Sequence, residues 1–177
     1  MALSKITTES LLDGEITAAK FATGVGGKVV QVVNTISASM STGTTALPAD
    51  TSIPQITEGD EYLTRAITPT NSSNLLYIVV NAMLSNNSEE NIVMALFNTD
   101  KHSTNAQATA PSYEASNTSP NMLTLAYYVA AGTTSATTWR MRAGGHGGGT
   151  TTFNGSNGTA SYSTAGLSTM TIWEISA

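Results

Sequence analysis

Hydrophobic positions along this chain fall in short runs, separated by clusters of Ser, Thr, Asn and Gly. Val29, Val30, Val32 and Val33 form a β-branched run ending at Asn34-Thr35-Ile36, the composition of a strand. The longest run, Leu75 to Leu84, is apolar almost throughout and is bounded by Asn71-Ser72-Ser73-Asn74 and Ser85-Asn86-Asn87-Ser88. That pattern predicts a central strand covered on both faces, with Ile92 to Phe97 as its hairpin partner. Two later segments alternate. Leu123, Leu125, Tyr127 and Val129 fall on one face, and Trp139 and Met141 oppose Arg140 and Arg142. The closing Thr169 to Ile175 carries bulky residues that would stitch the end of the chain into a sheet. Eight to ten short strands of this kind predict an all-β fold, an antiparallel β-sandwich or jelly roll over residues 28–177.

Residues 1–27 read differently. Leu11, Leu12, Ile16, Ala19 and Phe21 are loosely spaced around an Asp13-Gly14 turn signal, and Thr23-Gly24-Val25-Gly26-Gly27 reads as a hinge. So little apolar surface cannot fold alone, which leaves a frayed arm or an arm that docks and trimerises against a neighbour. In the second case Leu11, Leu12, Ile16 and Phe21 are the assembly contacts; either these arm residues or part of the longest strand is expected to pack between subunits.

Turn chemistry singles out the loops. Ala143-Gly144-Gly145-His146-Gly147-Gly148-Gly149 reads as an exposed loop, since consecutive glycines carry too much backbone entropy for a strand interior. Asn154-Gly155-Ser156-Asn157-Gly158 holds two Asn-Gly turn signals, and residues 101–120 form a long polar stretch with Tyr113 its one large side chain. Loops at one end of a rigid sandwich are common recognition surfaces. Tyr113, His146, Phe153, Asn154, Asn157 and Tyr162 are therefore the candidate receptor-facing residues.

Composition narrows the chemistry. The 177 residues contain no cysteine, which excludes disulfides, thiolate catalysis and cysteine-ligated metal. Charged residues make up 11% against about 25% in ordinary domains, and 29 Thr, 20 Ser and 13 Asn give a hydroxyl- and amide-rich surface. Seven cations and a net charge of −5 argue against nucleic acid as a partner. No apolar run reaches the 18 residues of a membrane helix, and Met1 to Phe21 lacks the basic-then-apolar order of a signal peptide, so neither membrane insertion nor export is expected.

Catalytic constellations are weak. No G-x-S-x-G elbow surrounds a serine, and the two histidines, His102 and His146, lack spaced partners for a triad or a metal. Three copies of His146 on a threefold axis would be the one route to a metal site. The carboxylate clusters Glu58-Gly59-Asp60-Glu61 and Glu89-Glu90 fall in turns, where solvation leaves no raised pKa for acid catalysis. Sequons at Asn71, Asn86, Asn117, Asn154 and Asn157 follow from Asn/Ser/Thr-rich turns. Arg140 and Arg142 on one strand face suit a cross-strand Glu or a solvated face better than an anionic glycan. These readings predict no enzyme and no cofactor.

Four ordered stretches carry a resemblance: Gly27 to Val33, Ile67 to Ile78, Ala131 to Met141 and Ser168 to Ile175. Together they resemble a recurrent β-domain of tailed-bacteriophage particle proteins, found in tail fibres of marine phages, and Leu11 to Phe21 resembles fibre linker repeats. Asn74 stands where that pattern has Lys, and Trp139 where it has Tyr; both suit a strand. The resemblance implies a homotrimeric virion protein, a short fibre or a head or tail decoration. It would be anchored to other virion proteins by its arm and able to touch a host surface glycan or protein. The small amount of chain before the β region favours a squat, particle-bound role. A stand-alone carbohydrate-binding module or adhesin is the alternative, and a glycan depolymerase a weaker one.

Overall fold

The computed structural model describes residues 28–88, 91–98, 100, 104–113 and 119–177. The proposed arm, with Leu11, Leu12, Ile16 and Phe21, lies outside the described residues. Two antiparallel sheets stack as a sandwich. The first contains β1 (Val29–Ser37), β2 (Ser41–Gly43), β4 (Leu75–Asn86), β7 (Asn121–Ala130), β9 (Thr151–Phe153) and β12 (Ser168–Ile175), in the order β1-β12-β4-β9-β2 with β7 also paired to β4. The second has the order β3-β8-β5-β6, from β3 (Asp60–Ile67), β5 (Asn91–Phe97), β6 (Ala108–Tyr113) and β8 (Thr137–Gly145). A small hairpin joins β10 (Gly155–Ser156) to β11 (Thr159–Ala160). The all-β sandwich expected from the strand pattern is the fold.

Alternation builds the core. Leu76, Ile78, Val80 and Ala82 of β4, Leu123 and Leu125 of β7, and Met170 and Ile172 of β12 point inward onto Leu63, Ile67, Ile92, Met94, Leu96, Trp139 and Met141 of the second sheet. Two expectations need correction. β4 is central, but only its second half is covered on both faces; Tyr77 is exposed. β5 is not its hairpin partner either. β5 pairs with β8 and β6, so the chain crosses between sheets after Asn86. Two apolar strands in adjacent sheets bury more surface against each other's layer than a flat hairpin would.

Pairing within each sheet and the connections between the sheets give the molecule two ends. At the base lie Lys28, the 68–74 turn, the 131–136 turn and the end of β12; at the tip lie residues 38–40, 87–88, 119–120, 146–150 and 154–167. Residues 44–59 run as a strap over the outer face of the second sheet, where Leu47 and Ile56 cover Val93, Ala95 and Phe97. The Arg142 guanidinium donates to the carbonyls of Glu58 (3.0 Å) and Gly59 (2.6 Å), and Leu47 N–H to that of Gly145 (3.0 Å).

This strap explains a misread segment. Gly144 and Gly145 are not an exposed loop but the buried end of β8, paired with β5. A Cβ on Gly144 would stand 2.5 Å from Thr45 O and 2.9 Å from Leu47 N, so the glycine admits the strap backbone. The exposed part of the predicted loop shrinks to His146, Gly147 and Gly149.

Candidate assembly face and tip loops

The outward residues of β1, β12, β4 and β7 form one continuous surface. Register aligns Val32, Trp173, Tyr77 and Tyr128 in a row across the four strands. The Tyr77 ring lies 5.6 Å from Trp173 and 6.4 Å from Tyr128, tilted and edge-on, the offset geometry that aromatic pairs prefer. One row nearer the base stand Ile175, Leu75 and Ala130; toward the tip come Asn34, Thr171, Val79 and Ala126, then Ile36, Thr169, Asn81 and Thr124. No ionisable side chain other than tyrosine stands in these rows. Tyr128 is 53% and Val32 50% exposed, which is uncommon for a row this apolar. Arg140 and Arg142, by contrast, lie on the second sheet and share Glu61 of β3 at 3.6 and 3.8 Å, the expected cross-strand pairing.

The six loop candidates divide. Tyr162 is 75% and Tyr113 64% exposed, both at the tip. Asn157 and Gly158 form the exposed two-residue turn of the β10–β11 hairpin, with φ of 50° and 73°, the left-handed pair an Asn-Gly turn requires. His146 is exposed, and its Nδ1 accepts the Ala49 N–H at 2.8 Å, which ties the strap to the tip. Phe153 and Asn154 must be corrected. Phe153 is buried in β9 and stacks on Tyr62 at 5.2 Å. Asn154, also buried, donates to Ser37 O (2.9 Å) and Ser39 O (3.2 Å) and accepts from Ser168 Oγ (2.6 Å). Its Asn-Gly signal marks a strand crossing rather than a surface loop. Tyr162 and Ser163 both sit at positive φ, 58° and 51°, where a single 3-10 turn, Ser163–Ala165, begins. Two successive non-glycine residues there are strained, and such strain collects at functional surfaces.

At the base, the inward-facing Glu174 of β12 was not anticipated. Its Oε1 accepts from Asn74 Nδ2 (2.6 Å), Thr70 N (2.8 Å), Thr70 Oγ1 (2.8 Å) and Asn71 N (3.3 Å), and its Oε2 from Gln31 Nε2 (2.6 Å). Burial alone would raise its pKa; the bonds from Gln31, Asn74 and Thr70 outweigh it and hold the carboxyl down at about 2. The carboxylate clasps β1, β12 and the 68–74 turn together.

The other carboxylates are engaged in structure. Asp60 accepts from Thr45 N and Thr45 Oγ1, both at 2.9 Å, and Glu58 from Gln55 N at 2.8 Å. Glu89 and Glu90 lie outside the described residues, as does His102. Among the described residues no three His, Asp or Glu side chains converge.

No curated protein matches the chain. Several solved structures are similar in outline. Eiger TNF from S. frugiperda aligns over 82% of this chain and 94% of its own, at 13% identity and a TM-score of 0.46. Dimeric latent PorU from Porphyromonas gingivalis aligns over 86% of this chain and 14% of its own, at 9% identity and a TM-score of 0.38. The infectious bursal disease virus VP2 subviral particle aligns over 83% and 37%, at 9% identity and a TM-score of 0.34. All three TM-scores fall below 0.5, too distant to bear on function. A family model, the Pgp3 C-terminal domain, matches residues 32–177. Since that match runs from the middle of β1 to the last residue of the chain and takes in both sheets, the strap and the tip loops, the chain belongs to the Pgp3 C-terminal domain family.

Proposed function

We propose that this chain is a non-enzymatic structural protein whose copies assemble through the outer face of β1-β12-β4-β7 and present their tip loops outward. The observation that carries this is the uncharged aromatic row Val32-Trp173-Tyr77-Tyr128. Four strands about 4.8 Å apart, over the eight residues of β12 at about 3.4 Å each, give a face of roughly 500 Å² in plan. That is over half of the ~800 Å² per partner of a standard interface. Having no fixed charge, the face has nothing to repel an identical face, which makes a second copy of this chain its fitting occupant.

The phage-particle resemblance supports three copies and a virion as the setting, a short fibre or a head or tail decoration. Tyr113, His146, Asn157 and Tyr162 at the tip are then the residues offered to a host glycan or protein. Threefold repetition would multiply millimolar contacts through effective concentration.

Light scattering on the full chain at micromolar concentration is the test. Three times the monomer mass is expected, falling to monomer for Tyr77→Lys combined with Tyr128→Lys, with the circular dichroism spectrum unchanged. A monomeric wild type, or an undiminished mass in the double variant, refutes the assembly face. Leu12→Asp with Ile16→Asp examines the arm separately: unchanged assembly means that the arm is not an assembly element. Presence of the chain in purified particles tests the virion setting.

A further inference from the structure

The strap does not lie flush on the second sheet everywhere. Between its 48–54 stretch and strands β5 and β6 it leaves an open-sided cavity of about 240 Å³, lined by buried Val93, by Pro48 and Pro54, and by the exposed Asp50, Thr109 and Pro111. The floor is rigid, because Val93 and Pro111 face each other across the β5–β6 ladder. The wall is pinned along its length: Ala49 N–H to His146 Nδ1, Ile56 N–H to Thr104 O and Ala106 N–H to Pro54 O, each at 2.8 Å. Proline surfaces lose no side-chain entropy when covered, so the cavity exists before anything enters it. It is smaller than the 300–1,000 Å³ of pockets for drug-sized ligands, a size for one side chain.

Asp50 is the one ionisable residue lining it. Its Oδ1 accepts from Ser52 N (2.7 Å) and Ser52 Oγ (2.6 Å), which orients the carboxylate and, with its side-chain bond first, lowers the pKa. Oδ2 accepts no hydrogen bond among the described residues, and the carboxylate also interacts electrostatically with His146. An open, proline-edged groove bordered by an exposed, oriented carboxylate matches an alkyl chain that ends in a cation. One open carboxylate oxygen suits the compact ammonium of lysine better than the guanidinium fork, which needs two. The chain's net charge of −5 draws cationic partners toward it.

We infer that this cavity receives a lysine side chain of a partner protein. The site is on the sheet opposite the proposed assembly face, so either can fail without the other.

The test is a nuclear magnetic resonance titration of the full chain with Nα-acetyl-lysine N-methylamide, alongside its norleucine counterpart and n-butylammonium. Saturable shifts at the Ala49, Ser52, Val93 and Thr109 amides are expected. Binding should weaken by about tenfold or more for the norleucine compound, and likewise for Asp50→Asn, whose remaining oxygen still caps Ser52. A second variant, Thr109→Lys, fills the floor with its own ammonium and should abolish binding. Equal binding of the norleucine compound, undiminished binding by Asp50→Asn, or no saturable shift overturns the proposal. Binding of n-butylammonium without the lysine compound also overturns it, since the site would then take a free amine rather than a protein side chain.

Discussion

Replacing Glu174 by Gln removes one charge and almost no volume from the base of the sandwich. The carboxylate is sealed from water, and no cation is bonded to it among the described residues; five neutral donor contacts hold it. The glutamine can keep an oxygen toward Thr70, Asn71 and Asn74, but its amide then confronts the Gln31 amide, donor against donor. Gln31 cannot simply flip, because its Nε2 also donates to Thr68 O at 2.7 Å. Lowering the carboxyl pKa from 4.5 to about 2 corresponds to about 3 kcal/mol at 1.36 kcal/mol per unit, in line with losing one or two charge-assisted hydrogen bonds. Because the folded pKa is depressed, this stabilisation is full above about pH 4.5 and disappears as the pH falls toward 2. Urea unfolding followed by Trp139 and Trp173 fluorescence should therefore show Glu174→Gln about 3 kcal/mol less stable at neutral pH. The gap should close near pH 2, where the wild type is protonated too. A gap under about 1 kcal/mol at pH 7, or one that does not change with pH, refutes the clasp.

Other variants probe the strap, the core and the tip. Gly144→Ala forces a Cβ against the strap backbone and should cost about 1–3 kcal/mol, with faster hydrogen exchange at Leu47 N–H. Phe153→Ala empties a buried ring site beside Tyr62 and should cost about 3–5 kcal/mol in urea unfolding, more than any exposed loop residue could. Tyr162→Gly relieves a left-handed backbone and should raise stability by about 1 kcal/mol, seen as a higher melting temperature. If Tyr162 is a contact residue, the same change weakens adhesion to host cells, so stability and attachment would move in opposite directions.

How legible each element was in the sequence depends on the range of the interaction that fixes it. Period-two alternation names the inward faces of β7 and β8 correctly, because exposure there follows from the pleat alone. The Asn157-Gly158 turn follows from local backbone preference and also stands as read. Gly144 misleads because its reason is the strap, about a hundred residues earlier in the chain, which needs the space a Cβ would fill. Asn154 misleads likewise: its amide serves Ser37 and Ser39, and no local pattern records that. Glu174 does carry a signal in the sequence. It is a carboxylate in the inward phase of an otherwise apolar strand, a position that must be satisfied by several donors.

The two outer faces of the sandwich differ in a way that bears on assembly. The second sheet hides Val93, Ala95 and Phe97 beneath its own strap and places its charges, Arg140, Arg142 and Glu61, beside it. Self-coverage of that kind removes this apolar stripe from water and leaves an open-sided cavity at Asp50. The first sheet has no equivalent cover among the described residues, yet its outward positions hold tryptophan, tyrosine, valine and leucine where a solvated sheet would hold lysine or glutamate. Solubility cannot account for that choice, because threonine at Tyr77 or Tyr128 would serve the strand equally well and expose less apolar surface. A partner face of the same polarity would account for it, as the proposed self-assembly requires, and the mass of the Tyr77→Lys, Tyr128→Lys variant decides whether that partner is a second copy.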